Sequence, residues 1–178
     1  RQMCIRDRVS DKKGIQEFIG EYNPCNLLLD TKRPMFVDNL TSSEEFTEMR
    51  FQQETAFHKA LHVMESVFEE FGKTFGREYR IVEAVECEDA EVVMLGLGSM
   101  CGTIKQVVND LRREGKMVGV LKVTSFRPFP AEKIRKAIGH VKKVVVLDRS
   151  AGLGASMAPL ALEVTCLLYT SPSPRDCS

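Results

Sequence analysis

The chain has 178 residues, 43% of them hydrophobic, and its 25 Lys and Arg balance 25 Asp and Glu. That length suits one domain with a core of its own, and the charge balance leaves no electrostatic footprint for nucleic acid. No apolar run approaches the roughly 18 residues that a membrane-spanning helix needs.

The two ends read differently from the rest. RQMCIRDR at residues 1–8 and CLLYTSPSPRD at residues 166–176 resemble translations of sequencing-library adapters, so residues 1–8 and 166–178 are set apart as adapter-derived tails. Residues 9–165 then read as an internal piece of a longer gene, with 21 Lys and Arg against 23 Asp and Glu and a net charge of about −2. Its cysteines, Cys25, Cys87 and Cys101, stand 62 and 14 positions apart with no CxxC. Such spacing supports no zinc site, iron–sulfur cluster or disulfide framework and points to a reducing, cytoplasmic compartment.

Residues 9–41 read as a connector from an upstream domain. GIQEFIG gives a helical turn or two, and Asn23-Pro24 and Arg33-Pro34 then favour extended or turning backbone. Residues 42–75 predict a long amphipathic helix. Ser42 and Glu45 fit a capping box, and Phe46, Met49, Phe57, Leu61, Met64, Phe68 and Phe71 recur at three- and four-residue spacing. At ~1.5 Å per residue such a helix runs about 50 Å, so part of its apolar face is expected to pack on a neighbouring domain or chain. His58 and His62 stand one turn apart on it, but Lys59 holds the place where a zinc protease carries its glutamate, and no third ligand can be named. Surface histidines are the reading there, with no metal.

From residue 80 the pattern alternates strand and helix. VVMLGL (92–97), MVGVLKVT (117–124) and KKVVVL (142–147) are short, β-branched and almost wholly apolar, as strands covered on both faces must be. RIVEAVE (80–86) offers an edge strand, and ECEDAE (86–91) reads as a solvated loop. Ile104, Val107, Val108 and Leu111 line one side of a helix that ends at Gly115. Pro130 starts another, with Ile134, Ala137 and Ile138 on its inner side and Gly139 at its end. The fold class is therefore α/β, a parallel sheet with flanking helices and right-handed crossovers, preceded by one long amphipathic helix.

In such a sheet the loops leaving the carboxyl ends of the strands gather on one edge, where ligands bind. GSMCGT (98–103), SFRPFP (125–130) and DRSAGLG (148–154) qualify, and they supply the interface or anion-binding candidates Gly98, Ser99, Gly102, Thr103, Arg127, Asp148 and Arg149. Gly96, Gly98 and Gly102 form GxGxxxG, one residue longer than the dinucleotide fingerprint, and the strand end that should carry an acidic ribose ligand holds Lys122, Thr124, Ser125 and Arg127. Two readings stand: a phosphate-binding turn, with Arg127 suited to a 2′-phosphate, or a glycine turn that packs the helix close to the sheet. No GxSxG elbow is present, and the histidines lack a serine or cysteine partner, so no catalytic residue is named. His140 reads as a residue at a helix C-terminus. Cys101 lies near a helix N-terminus, which lowers a thiol pKa, although a packed inert thiol is the commoner outcome.

EDAE, the GS..GT turn, RREG (112–115), FRPFP and VLDR (146–149) fall in the order and spacing of the second domain of the alpha subunit of pyruvate:ferredoxin oxidoreductases, and FGKTFGR (71–77) and EYNP (21–24) fit as well. The chain resembles that family over essentially all of residues 14–165. The resemblance implies a transketolase C-terminal-like domain, here the long helix plus α/β domain of residues 42–165. The family oxidatively decarboxylates a 2-oxoacid, usually pyruvate, to an acyl-coenzyme A and passes electrons to ferredoxin. It also implies thiamine diphosphate, Mg²⁺ and iron–sulfur clusters in the parent complex. None is assigned to this piece, which lacks a GDG-type motif and grouped cysteines. The expected role is scaffold and interface within a cytoplasmic complex, touching the thiamine-binding and iron–sulfur subunits or domains and, through them, ferredoxin. No nucleic acid or membrane is expected as a partner, and the piece alone is expected to be inactive. Arg127 and the 98–103 and 148–154 loops then face another domain or subunit, or else Arg127 pairs inside its own domain, with Asp148 as the candidate partner. Two further classes stay open, an NADP-binding Rossmann-like domain of a dehydrogenase and a non-catalytic interaction module.

Overall fold

A computed structural model describes residues 10–37 and 40–169. Residues 1–9, which hold the first tail, and residues 170–178 of the second lie outside the described residues. The chain divides into two compact units, with the break between Tyr79 and Arg80.

The first unit is helical. Helix α1 spans Lys12–Ile19 and begins where the Asp11 carboxylate accepts the Gly14 N–H at 3.2 Å, satisfying one of the orphan donors at a helix start. Helix α2 spans Ser43–Phe75, as the periodicity of residues 42–75 predicts, and stops at Gly76, whose left-handed backbone (φ 65°) lets its N–H donate to the Gly72 carbonyl at 2.9 Å. The expected capping box does not form. Ser42 is extended, and its carbonyl rather than its hydroxyl takes the N–H groups of Glu45 and Phe46, at 3.2 and 3.1 Å. Phe18 of α1 meets Phe71 and Phe75 of α2 edge-on, with centroids 5.6 and 5.3 Å apart, and Tyr79 closes on Phe71 at 5.4 Å. No residue of α2 is buried, and Phe46, Met49, Phe51 and Val63 are exposed on it.

The second unit is a four-stranded sheet covered by three helices. In chain order it comprises β1 (Val82–Val85), β2 (Val92–Leu97), α3 (Met100–Arg113), β3 (Val118–Val123), α4 (Ala131–Ile138), β4 (Lys143–Leu147) and α5 (Pro159–Tyr169). The spatial strand order is β1-β3-β2-β4. Strands β2, β3 and β4 run parallel, with Leu95 opposite Leu121 on one side and Val146 on the other. The RIVEAVE strand is β1, which lies antiparallel on the β3 edge with Val82 opposite Val123.

Alternate residues of the parallel strands feed two cores. Val93, Leu95, Leu121 and Val123 pack with Ile134 and Ile138 of α4 and Leu160 and Val164 of α5. On the other face Val118 and Val120 pack with Cys101, Ile104 and Val108 of α3. The expectation of cover on both faces holds for β2 and β3 but not for β4. Helix α3 lies over β2 and β3, so Val145 and Leu147 of β4 remain 44% and 38% exposed.

Helix α5 was not predicted. It is apolar around most of its circumference and begins after the glycine- and serine-rich stretch 150–156, so no single apolar stripe announces it. It runs through Cys166 to Tyr169, and Leu167 joins the first core.

The ECEDAE loop is anchored rather than merely solvated, because Cys87 and Ala90 are buried and Arg112 of α3 holds the rest. Its Nη1 and Nη2 donate to both Asp89 carboxylate oxygens at 2.9 and 2.6 Å, Nη2 also donates to the Glu86 carbonyl at 2.7 Å, and Nε donates to the Val118 carbonyl at 2.6 Å. These hydrogen bonds hold the Asp89 carboxyl below its ordinary pKa. On the same loop the Cys87 carbonyl accepts from His140 Nε2 at 3.0 Å, which fixes the proton on that nitrogen and gives His140 a structural partner.

Candidate functional site

Because β2, β3 and β4 are parallel, the three loops of interest leave the same edge of the sheet. At the first exit, Gly96 is buried, and a Cβ there would meet Met100 Cε at 3.2 Å and Ile104 Cδ1 at 3.3 Å. Its bare α-carbon lets α3 lie close on β2. Gly98 turns the chain with φ 69°, a conformation that side chains resist. A Cβ at Gly102 would meet nothing within 4 Å. Of the two readings of the glycines, packing and turning account for Gly96 and Gly98, and the NADP reading gains no support. Ser99, Gly102 and Thr103 are exposed, and the Ser99 side chain makes no capping bond. Cys101 is buried under α3, and burial pushes its thiol pKa up, so the helix start does not activate it.

At the second exit, the buried Ser125 hydroxyl donates to the Pro128 carbonyl at 2.8 Å. Arg127 pairs inside its own unit, but with Glu163 of α5 instead of Asp148. Its guanidinium also lies 4.4 Å from the Phe126 ring centroid and donates to the Phe126 carbonyl at 2.8 Å. At the third exit, Asp148 is committed elsewhere. One carboxylate oxygen accepts the Ser150 N–H at 3.0 Å, and the other accepts the Leu160 N–H at 2.8 Å in the first turn of α5. Arg149 is exposed.

The rim therefore does not merge its candidates into one constellation. Instead, a cavity of about 260 Å³ opens beside the first exit, lined by Gly98, Ser99, Cys101 and Gly102 together with Glu83, Val85, Lys105, Val120 and Lys122. Glu83 of β1 bridges two ammonium groups there. One oxygen meets Lys105 Nζ of α3 and the other meets Lys122 Nζ of β3, each at 3.3 Å. Burial pushes the Glu83 carboxyl pKa up, but the hydrogen bonds and charges of Lys105 and Lys122 outweigh it and leave the carboxyl below its ordinary range. Sequence reasoning named Gly98, Ser99 and Gly102 but missed the roles of Glu83 and Lys105, which stand 22 residues apart and carry no spacing signal.

Among the described residues, no three His, Cys, Asp or Glu side chains stand together as a metal needs. His58 pairs with Glu54 on the α2 surface, Nε2 to Oε1 at 3.2 Å. Cys25, Cys87, Cys101 and Cys166 are free thiols, two exposed and two buried. The four described cysteines are not grouped as an iron–sulfur cluster requires. No described helix is long and apolar enough to cross a membrane.

Comparison with known proteins places residues 90–178 in the family described as pyruvate:ferredoxin oxidoreductase core domain II. The pyruvate synthase subunit PorA of Methanothermobacter thermautotrophicus is 37% identical over 160 residues, covering 90% of this chain and 41% of that protein. PorA of Thermotoga maritima is 43% identical over 155 residues, covering 87% and 39%. The alpha subunit of the NADH-dependent phenylglyoxylate dehydrogenase of Aromatoleum evansii is 37% identical over 172 residues, covering 92% and 41%. The chain thus spans about two fifths of the length of these relatives.

Proposed function

The chain belongs to the pyruvate:ferredoxin oxidoreductase core domain II family, and from that premise we propose that it is part of the alpha subunit of a 2-oxoacid:ferredoxin oxidoreductase, where it serves as scaffold and subunit interface. The observation that carries this reading is the 37–43% identity to pyruvate synthase subunits along nearly all of the chain. Two of the three relatives are named for pyruvate and the third for phenylglyoxylate, which is also a 2-oxoacid. Pyruvate is therefore the proposed substrate of the parent complex, within a class whose shared feature is a carbonyl beside a carboxylate.

In that complex the chain's own residues shape and support, and they leave the chemistry to neighbours. Thiamine diphosphate, Mg²⁺ and the iron–sulfur clusters are assigned to other domains or subunits of a cytoplasmic assembly, and for the clusters this is supported by the described cysteines, which are not grouped. The thiamine diphosphate there supplies the carbanion chemistry of decarboxylation. The exposed rim residues Gly98, Ser99, Gly102, Thr103 and Arg149 are the proposed contact surface. Arg127 and Asp148 hold that surface in shape, through Glu163 and the first turn of α5. The apolar side chains left exposed on α2 and on β4 support the interface reading, because such groups are ordinarily covered by a partner.

The test is to purify the full-length protein that contains this chain with its associated subunits. Reduction of a viologen or ferredoxin is then measured with pyruvate, 2-oxoglutarate and phenylglyoxylate in turn. Pyruvate-dependent and coenzyme A-dependent reduction supports the proposal. A complex that reduces nothing with any 2-oxoacid overturns it.

A further inference from the structure

We propose that the cavity between β1, β3 and the start of α3 binds a phosphate-class oxyanion, with Lys105 and Lys122 as its cationic ligands and Glu83 as the counter-charge already shared between them. Three separate elements converge there: Glu83 from β1, Lys122 from β3 and Lys105 from α3. The two ammonium groups share a single carboxylate, at 3.3 Å to each of its oxygens. One positive charge is left over in a recess about 260 Å³ in volume whose lining also includes the apolar Val85, Val120 and Cys101. Like charges held together in a partly desolvated recess repel, and a second anion relieves that repulsion.

The geometry also leaves donors to receive it. Each ammonium carries three N–H bonds and each gives one to Glu83, so about four remain for a ligand. The exposed Ser99 hydroxyl stands at the rim without a capping bond to the helix, and Gly98 and Gly102 leave the backbone beside it open to close approach. A tetrahedral oxyanion, with oxygens facing several directions, matches donors arriving from both sides of the recess better than a planar group does. Gly98, Ser99 and Gly102 border the contact surface proposed above, but the ligands Lys105 and Lys122 both belong to this chain, so binding is testable on the chain alone and its failure leaves the proposed function untouched.

The experiment uses the full chain, ¹⁵N-labelled, titrated with inorganic phosphate and with pyrophosphate at constant ionic strength. Sodium chloride serves as the control. The expected result is saturable movement of the Gly98, Ser99 and Gly102 amide signals, with a dissociation constant in the millimolar range for phosphate. Replacing both lysines (Lys105→Gln with Lys122→Gln) should weaken binding at least tenfold while the rest of the amide spectrum stays dispersed. Paired Lys→Arg replacement, which keeps the charges and donors, should retain binding within a few fold. Glu83→Gln, which removes the internal competitor, should leave binding equal or tighter. Signal movement that follows ionic strength without saturating, or that survives loss of both lysines, overturns the proposal and leaves the three side chains a surface ion-pair cluster.

Discussion

Replacement of Arg112 by alanine should loosen one edge of the sheet and spare the other. The Arg112 side chain is 17% exposed and ties three points together: the Glu86 carbonyl after β1, the Val118 carbonyl at the start of β3, and Asp89 between β1 and β2. A hydrogen bond involving a charged group contributes on the order of 1.5–3 kcal/mol. Two such bonds to backbone carbonyls, reduced because water can reach part of the site, give about 2–4 kcal/mol. The Asp89 pair is open to solvent and adds little to that figure. At roughly 1.4 kcal/mol per tenfold, the local opening equilibrium constant of β1 and the 86–91 loop should rise by a factor of about 30 to several hundred. Hydrogen exchange followed by mass spectrometry reads this directly, comparing a peptide over residues 82–91 with one over 143–147. Arg112→Lys keeps the charge but not the fork, so it should fall between the parent and the alanine variant. Equal exchange of the 82–91 peptide in parent and alanine variant would refute the reasoning, as would equal loss of protection in both peptides.

Four further outcomes follow from the same structure. Gly119→Ala places a Cβ 2.4 Å from the Glu86 carbonyl oxygen, a backbone atom with little room to move, and should cost about 1–3 kcal/mol or more in urea unfolding followed by circular dichroism. An unchanged midpoint would show that β3 and the loop do not approach as described. Leu121→Ala, at a side chain with no exposure, should cost about 2–5 kcal/mol, whereas Val107→Ala on the exposed side of α3 should stay within about 0.5 kcal/mol. The Glu83 carboxyl has its folded pKa lowered, so its contribution is present above the ordinary value near 4.3 and is lost as pH falls through the lower folded value. The stability gap between the parent and Glu83→Gln should therefore be present at pH 7 and shrink on acidification below about pH 4; a gap that does not depend on pH would contradict the pairing. Arg127→Ala removes a half-exposed pair with Glu163 and should change stability by no more than about 1 kcal/mol. In the assembled complex, unchanged subunit association and unchanged turnover for that variant would remove Arg127 from any role at the interface.

What the sequence made legible was periodic or local. Three short β-branched runs separated by amphipathic stretches announced the parallel strands and both intervening helices. The glycine after each helix marked its end, because those signals lie within a few residues of what they control. The capping box failed on a detail that spacing does not contain, namely which oxygen of Ser42 faces the helix. The partners of the charged residues were invisible for a different reason. Arg112 meets Asp89 across 23 positions, Lys122 meets Glu83 across 39, and Arg127 meets Glu163 across 36. Such pairs are set by how strands and helices order themselves around the sheet, so the sequence reading named Asp148 for Arg127 and did not reach Glu163. Asp148 proved instead to hold the start of α5, a helix that was itself hidden because apolar residues ring it. The family resemblance supplied the chemistry, and the lack of a GDG-type motif and of grouped cysteines supplied the expectation that it belongs to neighbouring domains.

The most direct test of that expectation is coenzyme A-dependent reduction of ferredoxin by pyruvate, measured on the chain alone and on the full-length alpha subunit with its partner subunits. The account predicts no turnover by the chain and turnover by the assembled complex. Turnover by the chain alone, or an assembled complex that ignores every 2-oxoacid, would contradict it.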